Sequence, residues 1–274
     1  MVGHAAAAVA STQGKPRFMW RNLRLAILLG ILFCVALGSW LDQHRSTRWE
    51  STVRVGAFPV SADGSAVAAS YIAALGVAQL QPVSDFIARE AHRYGVTINE
   101  PIDIKLYPPL AKAPPALDPE AGIVGRLLWS LRLRYYRWRA VSTIARSQPQ
   151  IALFLMYHDP SLAPVLPHSV GLQRGLTAVV HLFATPSQDS QNAIVTAHEL
   201  LHTFGATDKY TGRGTPVYPD GYGEPLRVPR YPQRYAEIMA GRVTLGPDRQ
   251  EMPDDLSQTL VGPASAREIG WIRH

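Results

Sequence analysis

The chain has 274 residues, 27 Lys+Arg against 21 Asp+Glu, a formal net charge of +6 and a single cysteine. With 47% hydrophobic and 18% charged residues it is too apolar for a disordered chain, and one cysteine excludes a disulfide-stapled mini-protein. Its basic character is local: residues 1–48 hold six basic residues and one acid, and residues 121–150 hold six arginines and no acid. The rest is acidic on balance, so neither a general nucleic-acid surface nor a nucleic-acid partner is expected.

Residues 1–24 form a basic tail carrying Lys15, Arg17, Arg21 and Arg24. Leu25 to Leu41 is a seventeen-residue run without charge, flanked by Trp20 and Trp40. That length is at the lower edge of what crosses a hydrocarbon core as a helix. The positive flank predicts a single-pass signal anchor with its N-terminus in the cytoplasm and the large C-terminal part outside, as at a bacterial inner membrane facing the periplasm. A cleaved signal peptide ending near Ala36-Leu37-Gly38 is the competing expectation. Cys34 lies within this run, so a metal site beyond it must use His and carboxylates, and a cysteine-type latency switch is excluded. Residues 42–51 read as a polar tether, leaving 52–274 as one domain.

Within that domain, Thr52–Phe58 alternates as a first strand. Pro82–Tyr94 has helical periodicity and stops at Gly95, and Ile102–Tyr107 alternates as a second strand. A proline-broken stretch opens a helical basic insertion over about 108–149. Its helix at 122–146 is marked by Val124, Leu127, Leu128, Leu131, Tyr135 and Trp138. Ile151–Tyr157 and Thr177–Ala184 read as buried strands, followed by a helix from about Ser190 to Phe204. Residues 210–234 are rich in Pro, Gly and Tyr with little regular pattern, and a short helix around Ala264–Ile269 closes the chain. Alternating strands and helices predict an α/β (α+β) fold with a mixed, twisted sheet and a mostly irregular C-terminal subdomain.

Residues 198–208 read H-E-L-L-H-T-F-G-A-T-D. On a helix His198 and His202 lie ~40° apart around the axis and ~6 Å along it, so both imidazoles can reach one metal ion. Glu199 is better placed to hold a water than to bind the ion. Gly205 suits a left-handed helix end, after which the reversed chain can bring Asp208 back as a third ligand. Two His and one carboxylate leave a coordination position open, the mark of a catalytic Zn2+ site. Glu224 and Glu237 are the alternative third ligands.

At these residues the sequence resembles the metzincin clan of zinc metallopeptidases, whose long motif is H-E-x-x-H-x-x-G-x-x-H/D; Asp208 is the minority ending. Glu237-Ile238-Met239-Ala240-Gly241 resembles the clan's Met-turn, with Met239 as the hydrophobic floor. The resemblance implies a zincin fold, one catalytic Zn2+ and a peptide or protein substrate laid along the sheet's edge strand, expected at Thr177–Ala184. It also implies Glu199 as general base on a zinc-bound water. Several members carry a tyrosine two residues after the Met. Gly241 stands there, so transition-state stabilisation falls to Tyr210, Tyr235 or Arg242. The function expected is a membrane-anchored zinc endopeptidase acting outside the cytoplasm. The alternatives are a non-catalytic metal- or peptide-binding protein on the same fold, and an amidase acting on a non-protein amide.

His158, His168 and His181 read as partly buried or loop histidines, with His181 able to line a cleft. The segment 126–146 mixes arginines with Trp129, Tyr135, Tyr136 and Trp138. It reads either as a solvated face or as an interfacial helix that gives a second membrane contact.

Overall fold

The computed structural model describes residues 48–272 apart from 119, 145–147, 174, 175 and 213, together with residues 20, 22–27, 29, 30 and 33. The anchor expected at 25–41 lies for the most part outside them, and no helix among the described residues is long and apolar enough to cross a membrane.

The first strand, β1 (Val53–Ser61), leads through a short helix, α1 (Ala66–Ala74), to α2 (Gln81–Arg93). Ser65 caps α1 by accepting from the Ala68 amide, and Gly95 stops α2 at φ +82°. Next come β2 (Ile102–Leu106), the long helix α3 (Ile123–Ile144) and β3 (Ile151–His158). After them follow β4 (Val170–Leu172), β5 (Thr177–Phe183) and α4 (Asp189–Phe204). The elements predicted between residues 52 and 204 are present within a few residues of their expected ends; α1 and β4 are additions.

These strands form one five-stranded sheet in the order β2-β1-β3-β5-β4. The first four are parallel and β4 runs antiparallel to β5. β3 is buried at every position, as a central strand covered on both faces must be. β4 is the edge. This corrects the expectation that Thr177–Ala184 is the edge strand: β5 has β3 on one side and β4 on the other. A three-residue strand holding a glycine is too short to show an alternating pattern, which is why β4 escapes a reading by periodicity.

The alternation of the strands separates two cores. On one face Val55, Leu153, Leu155, Val180 and Leu182 pack with Phe86 and Ile87 of α2 and with Leu200 and Leu201 of α4. On the other, Phe58, Phe154, Met156 and Val179 pack with Trp129, Leu133, Ala140 and Val141 of α3. The helix expected in the insertion is therefore present, but its expected apolar stripe is not the buried one. Leu127, Leu131, Tyr135 and Trp138 are exposed.

The expected tether ends before residue 51, because Trp49 is already core: its indole N–H donates to the Ile269 carbonyl at 2.7 Å, and its ring packs on Phe204 and Trp271. Beyond α4 the chain is mostly irregular. It contains two small strand pairs, β6 (Ala236–Glu237) with β9 (Thr259–Leu260) and β7 (Val243–Thr244) with β8 (Gln250–Glu251), and ends in α5 (Pro263–Glu268). Buried Glu90 of α2 holds this part in place. It pairs with Arg93 at 2.5 Å and accepts from the Val261 amide at 2.9 Å.

Candidate metal centre

The strand-to-helix connection fixes where α4 begins. Asn192 both accepts from the Phe183 amide and donates to the Phe183 carbonyl, clamping the first turn to the end of β5. Three turns later Gly205 ends the helix at φ +111°, a conformation that costs a side-chain-bearing residue a steric clash. The amides of Gly205 and Ala206 close back onto the Leu201 carbonyl, and the chain reverses.

That reversal brings Asp208 to the two histidines of α4. The His198 and His202 Nε2 atoms are 3.1 Å apart, and Asp208 Oδ1 lies 3.3 and 3.2 Å from them. The three donors thus form a nearly equilateral triangle. Three ligands bound ~2.1 Å from one zinc ion at tetrahedral angles lie ~3.4 Å from one another, so the observed edges fit such an ion closely.

The protons on the imidazoles sharpen the point. His198 Nδ1 is 2.9 Å from the Ile238 carbonyl, and His202 Nδ1 is 2.7 Å from the Ala206 carbonyl. A carbonyl can only accept, so each Nδ1 carries the proton of its neutral ring and each Nε2 presents a lone pair. Two lone pairs and a carboxylate then face one point with no hydrogen among them, an arrangement that a cation satisfies. When no cation is bound the triangle can take up a proton instead: burial opposes charge on His198, but a hydrogen bond from a protonated Nε2 to the Asp208 carboxylate outweighs it and raises the imidazole pKa. Burial also works to raise the Asp208 carboxyl, yet hydrogen bonds from the histidines in that protonated state hold it well below the usual carboxylate range.

Further residues hold the ligands in place. The Lys209 amide donates to the Met239 carbonyl at 3.0 Å, next to the carbonyl that orients His198. One buried turn, 238–239, therefore tethers the helix ligand and the chain that carries the third ligand. Met239 itself is fully buried in the core under α4. On the other side Glu268 of α5 accepts from the Thr207 amide and hydroxyl and from Lys209 Nζ, all at 2.8–2.9 Å. It brackets Asp208 from both neighbouring residues, a role no sequence motif marks.

Glu199 is buried beside the triangle, and among the described residues no well-formed hydrogen bond reaches its Oε2, although the nearby Gly171 backbone helps to lower its carboxyl pKa. Burial pushes its carboxyl pKa up, while the neighbouring histidines pull it down. Edge strand β4 crosses directly over it. A Cβ on Gly171 would lie 2.5 Å from the His202 Cβ and 2.6 Å from the Glu199 carbonyl oxygen, closer than real carbon contacts allow. Gly171 is therefore what lets β4 lie against α4. Gly171→Ala is expected to push the strand off the helix and lower stability by about 1–3 kcal/mol. A urea midpoint unchanged from wild type would contradict this contact. Beside Gly171 a cavity of about 240 Å³ opens between β4 and α3, lined in part by Leu133, Arg134 and Gln173.

Both alternative third ligands are engaged elsewhere. Glu224 pairs with Arg234 and braces the 224–234 loop. Glu237 is completely buried and accepts from the Ala240 and Gly262 amides at 3.0 Å and from Ser265 Oγ at 2.7 Å. Of the three candidate stabilisers, Tyr210 comes next to the triangle. Burial and the neighbouring Asp208 carboxylate push its hydroxyl pKa up to about 12. Tyr235 instead sits under the Arg234 guanidinium, and Arg242 forms a backbone bridge with Glu237. His158 and His181 bond to each other, Nε2 to Nδ1 at 2.8 Å, at the end of the sheet. Compared with known proteins, the chain matches no protein-family model and no curated protein.

Proposed function

We propose that the protein is a zinc-dependent endopeptidase of metzincin type, anchored in a membrane by residues 25–41 and acting on peptide or protein substrates outside the cytoplasm. The observation that carries this reading is the triangle of His198, His202 and Asp208 donors, with a buried carboxylate oxygen of Glu199 beside it that no well-formed hydrogen bond reaches among the described residues. The clan resemblance is supported by the mixed sheet, the helix after its last parallel strand that carries both histidines, and the irregular C-terminal part closed by a buried turn at Met239.

His198, His202 and Asp208 would hold the ion. When bound, zinc acts as a Lewis acid that makes water acidic and polarises a carbonyl oxygen. The protein's own groups do the rest. Oε2 of Glu199 accepts a proton from the attacking water and passes it to the nitrogen of the leaving amine, so that water and amide become carboxylic acid and amine. Tyr210, half-exposed beside Asp208, is positioned to donate its hydroxyl hydrogen to the oxygen on which negative charge develops. β4 is an edge of the sheet, to which an extended peptide can add as a further strand.

The direct test incubates the full chain in detergent with a mixed peptide library. Cleavage that stops with a chelator and returns on adding zinc is expected. A chain that holds one zinc per molecule and cuts nothing would overturn the peptidase reading in favour of a binding role.

A further inference from the structure

Helix α3 is apolar on two opposite faces. Trp129, Leu133 and Ala140 pack on the sheet, and the Tyr136 ring meets Phe154 edge-on. On the far side Val124, Leu127, Leu128, Leu131, Tyr135 and Trp138 are each 50–68% exposed. At 3.6 residues per turn these six fall within an arc of about 100°, roughly opposite the buried set, and form a stripe ~21 Å long. Single exposed apolar side chains are ordinary, but a continuous stripe spanning four turns marks a surface that something covers. Arg132 and Arg139 border the stripe along one side, and Arg134 borders it on the other.

We infer that this outer face of α3 lies in the headgroup layer of an anionic lipid bilayer. Arg132 and Arg139 at the stripe's border, in a segment 121–150 that holds no acid, complement anionic headgroups. Tyr135 and Trp138 supply the apolar rings with polar tips that settle at a membrane interface. Arginine stems can run along the apolar boundary while their guanidinium groups reach phosphate. A second copy of the chain fits poorly, because a two-fold contact would set the same arginine-rich patch against itself.

The test uses the full chain with Cys34→Ser, which removes the only thiol. A single cysteine placed at Leu131, at Ser142 (exposed, one turn past Trp138 on the same stripe) or at Val228 (94% exposed, on a distant loop) carries an environment-sensitive fluorophore. Each protein is reconstituted into vesicles of phosphatidylcholine alone or of phosphatidylcholine mixed with phosphatidylglycerol. Labels at Leu131 and Ser142 should shift to the blue and be quenched by headgroup nitroxide lipid in the anionic vesicles only, while Val228 stays solvent-like in both. Replacing Arg132 or Arg139 by Gln should weaken the protected state about fivefold for each arginine removed. Solvent-like emission at both stripe positions in anionic vesicles would overturn the inference. So would equal protection in neutral vesicles, or protection without lipid that dilutes away as a dimer would. None of these readouts depends on peptide hydrolysis, so the inference and the peptidase reading can fail separately.

Discussion

Glu199→Gln is expected to leave zinc content and substrate affinity near wild type while lowering kcat by about 10²–10⁴-fold. The substitution preserves volume at a buried position, and among the described residues no well-formed hydrogen bond to Oε2 is there to be lost. The packing of α4 therefore has little reason to respond. An amide cannot accept a proton at that point, so the water is no longer deprotonated and the leaving amine receives no proton. Two measurements on one preparation decide the matter: zinc by elemental analysis, and steady-state cleavage of a peptide found by the library screen. A variant with full zinc and wild-type turnover would remove Glu199 from the mechanism. A variant that loses zinc would show that Glu199 is a ligand.

What the sequence disclosed follows from how each feature is encoded. The helix with its two histidines, its Gly205 stop and the return to Asp208 is local in sequence, eleven residues whose spacing dictates their geometry. The buried strands β3 and β5 are legible for a similar reason, because a covered parallel strand reads as a short apolar run. Long-range features are different. Gly171 matters only because β4 crosses α4, and nothing near residue 171 announces a partner some thirty positions later. Glu268 brackets Asp208 from 60 residues away. Trp49 reads as part of a polar tether until its distant partners Phe204, Ile269 and Trp271 are known. The stripe of α3 shows how periodicity misleads. A helix with two apolar faces gives a correct helical spacing without revealing which face the core takes. The choice among Tyr210, Tyr235 and Arg242 was likewise closed to sequence, since it depends on where an irregular loop lies.

Two acidic residues that compete for the third ligand position separate sharply under mutation. Asp208→Ala removes a half-exposed carboxylate that faces the two histidines of the triangle and the Tyr210 hydroxyl. Zinc affinity is expected to fall by more than the 10–100-fold that loss of an outer-shell partner typically costs, with activity lost in parallel. The unfolding midpoint in the presence of chelator should hardly move. Glu237→Ala does the reverse. Its carboxylate satisfies two backbone amides and the Ser265 hydroxyl in a fully buried pocket, and their loss strands three donors at about 1–3 kcal/mol each. The turn that supplies the Ile238 and Met239 carbonyls should loosen, and the urea midpoint should fall markedly, while the fraction still folded keeps its zinc. Finding zinc retained in Asp208→Ala but absent from folded Glu237→Ala would exchange the roles assigned to these two carboxylates.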